Sequence, residues 1–422
     1  MYKKSRLSNG LRVITHEMPR MQSVALGIWI KAGGRHEKKE NKGIAHFLEH
    51  LIFKGSRKYS CRKIKESIEG VGGSLNGFTS EELTCYLAKL PAKYLDLGLD
   101  VLSDMVANPL LAPQEIDKEK TVIIEEIKMY KDLPQSHVYE LLDELLWPAQ
   151  SLGMPISGTA ESVSKVNRQS MGFFKNKYYN AVDIVVSVAG VVGHDHLAKK
   201  AENFFSGLKK AKPNAFVKAK EAQDKPQLKI LVKDTEQTHL VLGFHSLKRE
   251  HPLKYALGLL HIILGANMSS RLFNELREKR GLAYEIGTQV KRFQDTGAFI
   301  VHAGIDNRKV KEAIGLILKE LLRIKDNLVT DDEFRRAKDF YLGQLMLALE
   351  DTLDHMLWIG ESTASLDRTY SPEEVIAEIN KVGPQDIRQA ARKIFRQQNL
   401  NLAAIGPLKD REAEIHKQLK LG

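Results

Sequence analysis

The sequence predicts an α+β protein built as two homologous α/β-sandwich domains from an internal duplication. Each half begins with β-type alternation and continues into long stretches of 3.6-residue period, the pattern of a sheet covered by helices. The same order of strand, helix and glycine also occurs twice. Ser23-Val-Ala-Leu-Gly-Ile28 precedes a helix ending Phe53-Lys54-Gly55, and His239-Leu-Val-Leu-Gly-Phe244 precedes a helix ending Ile263-Leu264-Gly265. The length, 422 residues, exceeds what one hydrophobic core ordinarily sustains. A stretch bounded by Pro213 and Pro226, with no apolar periodicity, divides the chain. The expected organisation is therefore a domain over 1–212, a linker over 213–226 and a second domain over 227–422.

Composition excludes several classes. With 43% hydrophobic and 28% charged residues, the chain is neither disordered nor collagen-like. No apolar run approaches the roughly 18 residues of a membrane span. The first residues lack the apolar core of a secretory signal and pass directly into a strand pattern, so a cytoplasmic location is expected. Two cysteines, Cys61 and Cys85, cannot form a disulfide framework and read as structural thiols. The net charge is +11. Its densest cluster, Lys209, Lys210, Lys212, Lys218, Lys220 and Lys225, falls on or beside the linker without any nucleic-acid-binding motif, so no nucleic-acid partner is expected.

Along the chain, Leu11, Val13 and Thr15 alternate as a strand, and Trp29 between Ile28 and Ile30 reads as strand core. Asn41 to Gly55 reads as a helix closed by a glycine suited to a left-handed cap. At about 100° per residue, His46, Glu49 and His50 share one face, while Ile44, Leu48 and Leu51 share the opposite one. Phe53 intrudes on the polar face and must line its edge. Two imidazoles one turn apart can hold one metal ion, and a carboxylate beside them can act on a metal-activated water.

A catalytic zinc usually takes a third protein ligand. Pro113 starts a helix running to Tyr130, with Ile116, Ile123, Ile127 and Tyr130 forming its apolar stripe and Val122 and Met129 beside them. Glu119 and Glu126 fall inside that arc, whereas Glu125 falls on the polar side with Lys118 and Thr121. A carboxylate on a core-facing stripe is costly without a cation or proton. Glu126 or Glu119, rather than Glu125, is thus the candidate ligand. Farther on, Asn76 and Glu82 read as the polar face of a β-hairpin, and His194-Asp-His196 as a strand-to-helix turn. Aligning Gly55 with Gly265 sets Ala256, Leu259 and Leu260 opposite His46, Glu49 and His50, so the second half is expected to bind no metal.

His46-Phe-Leu-Glu-His50, followed by Glu126 76 residues later, resembles the zinc site of the pitrilysin-type (inverzincin) metallopeptidases, which include mitochondrial processing peptidase and its bacterial homologues. The resemblance continues through Gly72-Gly-Ser-Leu-Asn-Gly-Phe-Thr-Ser-Glu-Glu-Leu-Thr84, with Gly77 where the family usually has alanine, and through Leu152–Gly158 and Phe173–Tyr179. It implies one Zn2+ per chain on His46, His50 and Glu126, with Glu49 as general base and Glu119 in support. It also implies a peptide substrate added as a strand near Asn76, Gly77 and Phe78, with Glu82 behind the site. In the second half, Ser269 to Tyr284 is similar to the family's arginine–tyrosine pair, here Arg277 and Tyr284, which can hydrogen-bond a substrate carbonyl.

The activity so implied is a zinc-dependent endopeptidase cutting unfolded peptides or small protein segments. A chain of this length would form half of a clamshell chamber, completed by a second copy or by a homologue. The alternative class is a non-catalytic scaffold or partner subunit of an active homologue. The intact His46, Glu49, His50 and Glu126 argue against it.

Overall fold

The structure is a computed structural model in which residues 2–421 are described. Strands β1 (Tyr2–Arg6), β2 (Arg12–Glu17), β3 (Ser23–Ile30), β4 (Ser74–Thr79), β5 (Thr84–Pro91) and β6 (Ile184–Gly190) form one sheet in the order β1-β2-β6-β3-β5-β4. Strands β7 (Gln227–Val232), β8 (Gln237–His245), β9 (Ala283–Arg292), β10 (Gly297–Asp306) and β11 (Asn401–Gly406) form the other, in the order β7-β11-β8-β10-β9.

Apart from β1, the two sheets share one topology. In each, one pair is parallel (β2 with β6, β7 with β11) and the remaining neighbours are antiparallel. Two α+β bodies with the same strand order are the form expected of a duplicated chain.

The compact units do not coincide with contiguous halves. One gathers the chain up to Ile127, Pro155–Val217 and Met346–Pro372; the other gathers Lys128–Met154, Lys218–Leu345 and the chain from Glu373 on. Each expected body thus gives up a helical segment to the other. Helix Thr352–Leu366, late in the chain, packs in the first unit, where Met356, Ile359 and Ala364 join Ile14, Ala25, Trp29 and Val185 on one face of the sheet. Helix Pro134–Leu146, early in the chain, packs in the second unit, where Val138, Leu142 and Leu146 join Val241, Ile300 and Ala403. Pattern reading follows the chain in order and carries no information on such an exchange.

The glycine repeated in both halves explains how each exchanged helix seats. A Cβ on Gly27 would overlap Met356 Sδ, and a Cβ on Gly243 would lie 2.6 Å from Leu142 Cδ1. Gly360 likewise leaves space that Trp29 fills. Trp29 is buried, as its strand-core reading expects, and its Nε1 donates to Ser187 Oγ at 2.8 Å.

The segment 213–226 has no regular structure but is tied down at both ends. Asn214 donates to the carbonyls of Lys31 and Tyr178, and Phe216 stacks under the Arg35 guanidinium at 3.8 Å. In the other unit, Ala219 N donates to Asp295 and Lys220 N to Gln150. Among the described residues, no helix is long and apolar enough to cross a membrane.

Filling the glycine gap should be costly in a way that one compensating change relieves. Gly27→Val is expected to destabilise the first unit by about 1–3 kcal/mol, the usual cost of overpacking. Adding Met356→Ala should recover part of the loss. Denaturant unfolding followed by tryptophan fluorescence measures both, and unchanged midpoints would remove this account of the repeated glycine.

Candidate metal centre

The histidine-bearing helix runs Ile44–Ile52, shorter than the 41–55 expectation. Its entry is set by Gly43 at φ 94°, in the left-handed region, where a Cβ would lie 2.5 Å from the Ser157 carbonyl. No side chain at the cap position serves the helix N-terminus. Glu37, six residues upstream, does so instead: its carboxylate accepts from Gly43 N at 3.0 Å and Ala45 N at 2.7 Å, with Lys42 Nζ at 3.2 Å. A carboxylate at that end complements the helix dipole. Ile44, Phe47, Leu48, Leu51 and Ile52 are buried in the core, which turns His46 and His50 to the other side. The helix ends in a right-handed cap at Phe53, not at a glycine. Phe53 does line the edge of the polar face, since a Cβ on Gly77 would come within 3.0 Å of its ring.

The acidic helix runs Pro113–Asp132 and buries Ile116, Glu119, Ile123 and Ile127. Glu125 faces solvent, as its helix position predicts. Val122, Met129 and Tyr130, expected in or beside the apolar arc, are instead 40–51% exposed. The buried stripe is therefore narrower than the sequence suggests, and its centre lies on Ile123 and Ile127.

His46, His50 and Glu126 converge. Their ligand atoms lie within 4.8 Å of one another, the one such group of three among the described residues. Glu126 Oε2 is 3.8 Å from His46 Nε2 and 3.7 Å from His50 Nε2. Atoms bound at about 2.0–2.2 Å around a tetrahedral zinc are separated by roughly 3.3–3.6 Å, so this spacing fits that ion closely. Glu126 Oε2 is also buried without a hydrogen-bond partner, a costly state that a cation relieves. The donor set suits zinc on both counts.

Neighbouring groups orient the set. His50 Nδ1 pairs with Glu119 Oε1 at 2.9 Å, and Glu119 Oε2 meets Lys54 Nζ at 2.6 Å. This carboxylate–imidazole pairing leaves His50 Nε2 directed at Glu126 and fixes the ring plane. Glu119 therefore holds the His50 imidazole in place. Glu49, 8% exposed, accepts a 2.7 Å hydrogen bond from Thr79 Oγ1 through Oε2.

Electrostatics separate the groups. Burial, aided by the His50 charge, lowers the His46 imidazole to about 4, so it is neutral near pH 7. Burial also pulls His50 down, but the Glu119 hydrogen bond and the charges of Glu49, Glu126 and Glu119 outweigh it and raise the ring. Burial raises the Glu49 carboxyl against the opposing effects of Thr79 and His50. Glu126 is raised by burial and by Glu119. Burial would raise Glu119 as well, yet its bonds to His50 and Lys54 hold it below the usual carboxylate range.

The remaining expected residues lie as follows. Asn76, Gly77 and Phe78 belong to β4, which is at the edge of its sheet and pairs only with β5. Asn76 Oδ1 accepts from Gly77 N, and Phe78 packs edge-on against Trp29. Glu82 forms a buried 2.7 Å ion pair with Arg35, and Gly34 N and Arg35 N donate to the Ser80 and Glu81 carbonyls. These bonds brace the turn that follows Thr79. Arg277 and Tyr284 are in the other unit, with the guanidinium 5.2 Å from the phenol ring and Tyr284 74% exposed.

The helix opposite in the duplication, Lys254–Gly265, buries Ala256, Leu259 and Leu260 and carries no such ligand group. His194 is occupied by Ser5 and Thr15, and His196 by Asp96. Cys61 and Cys85 are both free thiols. Sequence reasoning missed Thr79, Lys54, Glu37 and Arg35. Lys54 could have been found, because it stands one turn beyond His50 on the same helical face. The other three reach partners distant in sequence, Thr79 from the end of β4 and Glu37 and Arg35 from the segment before the helix, and give no periodic signal.

Residues 12–160 match the family model described as insulinase (peptidase family M16), and residues 165–341 match the model described as the peptidase M16 inactive domain. The chain is 37% identical to a Bacillus subtilis protein named uncharacterized zinc protease YmxG, over 96% of this chain and 98% of that one. It is 36% identical to a zinc protease of Streptomyces coelicolor (97% and 91% covered) and 35% identical to one of Rickettsia felis (96% and 97%). In fold it is similar to a Helicobacter pylori protease, with a TM-score of 0.90 at 22% identity, covering 96% of this chain and all of that one. A Pseudomonas fluorescens M16 inactive-domain structure has a TM-score of 0.89 at 18% identity, with 96% and 98% covered. These matches span both halves at nearly full length, and the chain belongs to the M16 peptidase family, the pitrilysin and insulinase group.

Proposed function

We propose that this chain is a zinc-dependent endopeptidase acting on unfolded peptides or small protein segments. The observation that carries the reading is the convergence of His46, His50 and the unpartnered Glu126 Oε2 beside a carboxylate, Glu49, held by Thr79. His46, His50 and Glu126 would hold a zinc ion, which would supply Lewis acidity to the scissile carbonyl and to water. Glu49 takes a proton from the attacking water and returns it to the leaving amine nitrogen. The Thr79 hydrogen bond holds Oε2 and leaves Oε1 free to receive the proton. The open edge of β4 offers backbone groups at Asn76, Gly77 and Phe78 to an extended substrate, which such pairing accepts with little regard to sequence.

The arginine–tyrosine pair is read as serving a second chain's site, in a homodimer or with a homologue. Arg277 and Tyr284 are stacked and presented outward, a geometry suited to hydrogen-bonding a carbonyl oxygen.

Metal content tests the ligand set. Wild type should hold one zinc at this site; His46→Ala, His50→Ala and Glu126→Gln should lose it, and Glu125→Gln should keep it. Equal loss in both glutamate variants, read by metal analysis after dialysis, would sink the assignment.

Glu49→Gln separates binding from chemistry. It should retain zinc and still bind an unfolded peptide, while hydrolysis falls by at least about 10²–10⁴-fold. Near-normal cleavage would place the base elsewhere.

The two-chain reading is tested by mixing inactive variants. Glu49→Gln and the double variant Arg277→Ala, Tyr284→Phe should regain part of the activity on subunit exchange, because one site of each mixed dimer has every group intact. A mixture that stays inactive despite demonstrated exchange, or an active monomer in sedimentation, defeats it.

A further inference from the structure

The segment Gly33–Glu37 touches the candidate centre from two directions. On one side, Gly34 N and Arg35 N donate to the Ser80 and Glu81 carbonyls at 3.0 and 2.7 Å, and a Cβ on Gly33 would overlap the Ser80 carbonyl. Arg35 Nη1 also donates to Glu82 Oε1 at 2.7 Å, with both side chains buried. These contacts fix the turn 80–83, which follows directly on Thr79, the donor to Glu49. On the other side, Glu37 accepts from Gly43 N and Ala45 N at the start of the helix that carries Glu49. Lys42 Nζ ties the two sides together, meeting Glu37 Oε2 at 3.2 Å and the Gly34 carbonyl at 2.8 Å. One short segment therefore sets both partners of the Thr79–Glu49 hydrogen bond.

The chain leading to the second unit is clamped onto this same segment. Asn214 N donates to Asp183 Oδ2 at 2.6 Å, and its Nδ2 to the carbonyls of Lys31 and Tyr178. Two residues later, the half-buried Phe216 ring covers the Arg35 guanidinium at 3.8 Å and meets the His36 ring edge-on. The Val217 carbonyl accepts from Arg35 Nη2 at 3.2 Å. The guanidinium is thus held on its face by an aromatic ring and at its two ends by a carboxylate and a carbonyl, which leaves it one orientation. Phe216 lies outside the apolar core of its unit, so filling that core is not what its seat serves. Every residue named here belongs to the first unit.

We propose that Phe216 is a positioning residue for Glu49. Docked on Arg35, it holds the turn 80–83 and, through Thr79, the carboxylate that takes the proton. The proposal rests on the peptidase reading of this site and adds the segment between the units to the groups that orient its base.

Steady-state hydrolysis of an unfolded peptide by the full-length chain, with metal analysis and amide hydrogen exchange, tests it. Phe216→Ala should keep zinc and KM while kcat falls by about 10–10²-fold, as when a reacting group is displaced but not removed. Phe216→Tyr keeps the stacked ring and should restore kcat; Phe216→Leu, apolar but without a π-face, should not. Val217→Ala should match wild type, since that side chain is 81% exposed and only its carbonyl is used. Exchange at residues 79–83 should quicken in Phe216→Ala and Phe216→Leu but not in Phe216→Tyr. Wild-type kcat in Phe216→Ala overturns the proposal. So do loss of zinc in that variant, equal kcat in Phe216→Leu and Phe216→Tyr, and a fall in kcat without faster exchange at the turn. A zinc-loaded wild type that cleaves no peptide defeats the peptidase reading and this proposal with it, whereas an active wild type with unaffected Phe216 variants defeats this proposal alone.

Discussion

The candidate metal centre depends first on how the helix Ile44–Ile52 is held at its start. Nine residues are too few to be stable as an isolated helix. Burial of one apolar face anchors it laterally, and the Glu37 carboxylate anchors it along its axis by accepting from two otherwise orphaned backbone N–H groups. Hydrogen bonds to a charged group contribute about 1.5–3 kcal/mol each. Lys42 neutralises the buried charge, and Gly43 permits the left-handed turn between them. The apolar face sets the direction in which His46 and His50 leave the core, and this seating sets where along the helix axis they do so.

From this fixed face the electrostatics follow in order. Lys54, in the turn just after the helix, holds Glu119; Glu119 orients His50; and His50 together with His46 faces Glu126. The first two links are charge-assisted hydrogen bonds in a partly buried pocket, where such contacts are strong and an unmatched charge is costly. The chain of hydrogen bonds stops at Glu126 Oε2, which has no hydrogen-bond partner. That asymmetry separates the two glutamates: Glu119 is hydrogen-bonded by neighbouring side chains, whereas Glu126 Oε2 is left without a hydrogen bond, as a candidate cation ligand would be.

The duplicated half keeps the scaffold without the candidate ligands. Its helix Lys254–Gly265 is buried by apolar groups at the positions of the two histidines and the glutamate. Both sheets retain the glycine beneath their covering helix, because a side chain there would occupy the volume of Met356 in one unit and Leu142 in the other. Close packing tolerates no extra methyl at such a contact, so this residue persists where the metal ligands do not.

The sequence by itself determined the α+β class, the twofold repeat, the His46–Glu49–His50 face and the inward position of Glu119 and Glu126 against the outward Glu125. Each of these is a local periodicity, and 3.6- and 2-residue periods survive into the fold because burial of one face enforces them. Three things were decided only in the tertiary structure. The exchange of helices Pro134–Leu146 and Thr352–Leu366 was invisible because an amphipathic stripe does not name the sheet it will cover. The roles of Glu37, Thr79 and Arg35 were invisible because loops bring them to their partners without any spacing rule. The physical basis for dividing Glu119 from Glu126 also required three dimensions: both share one helical stripe, the family resemblance implied the division, and the positions of His50 and Lys54 supply its reason.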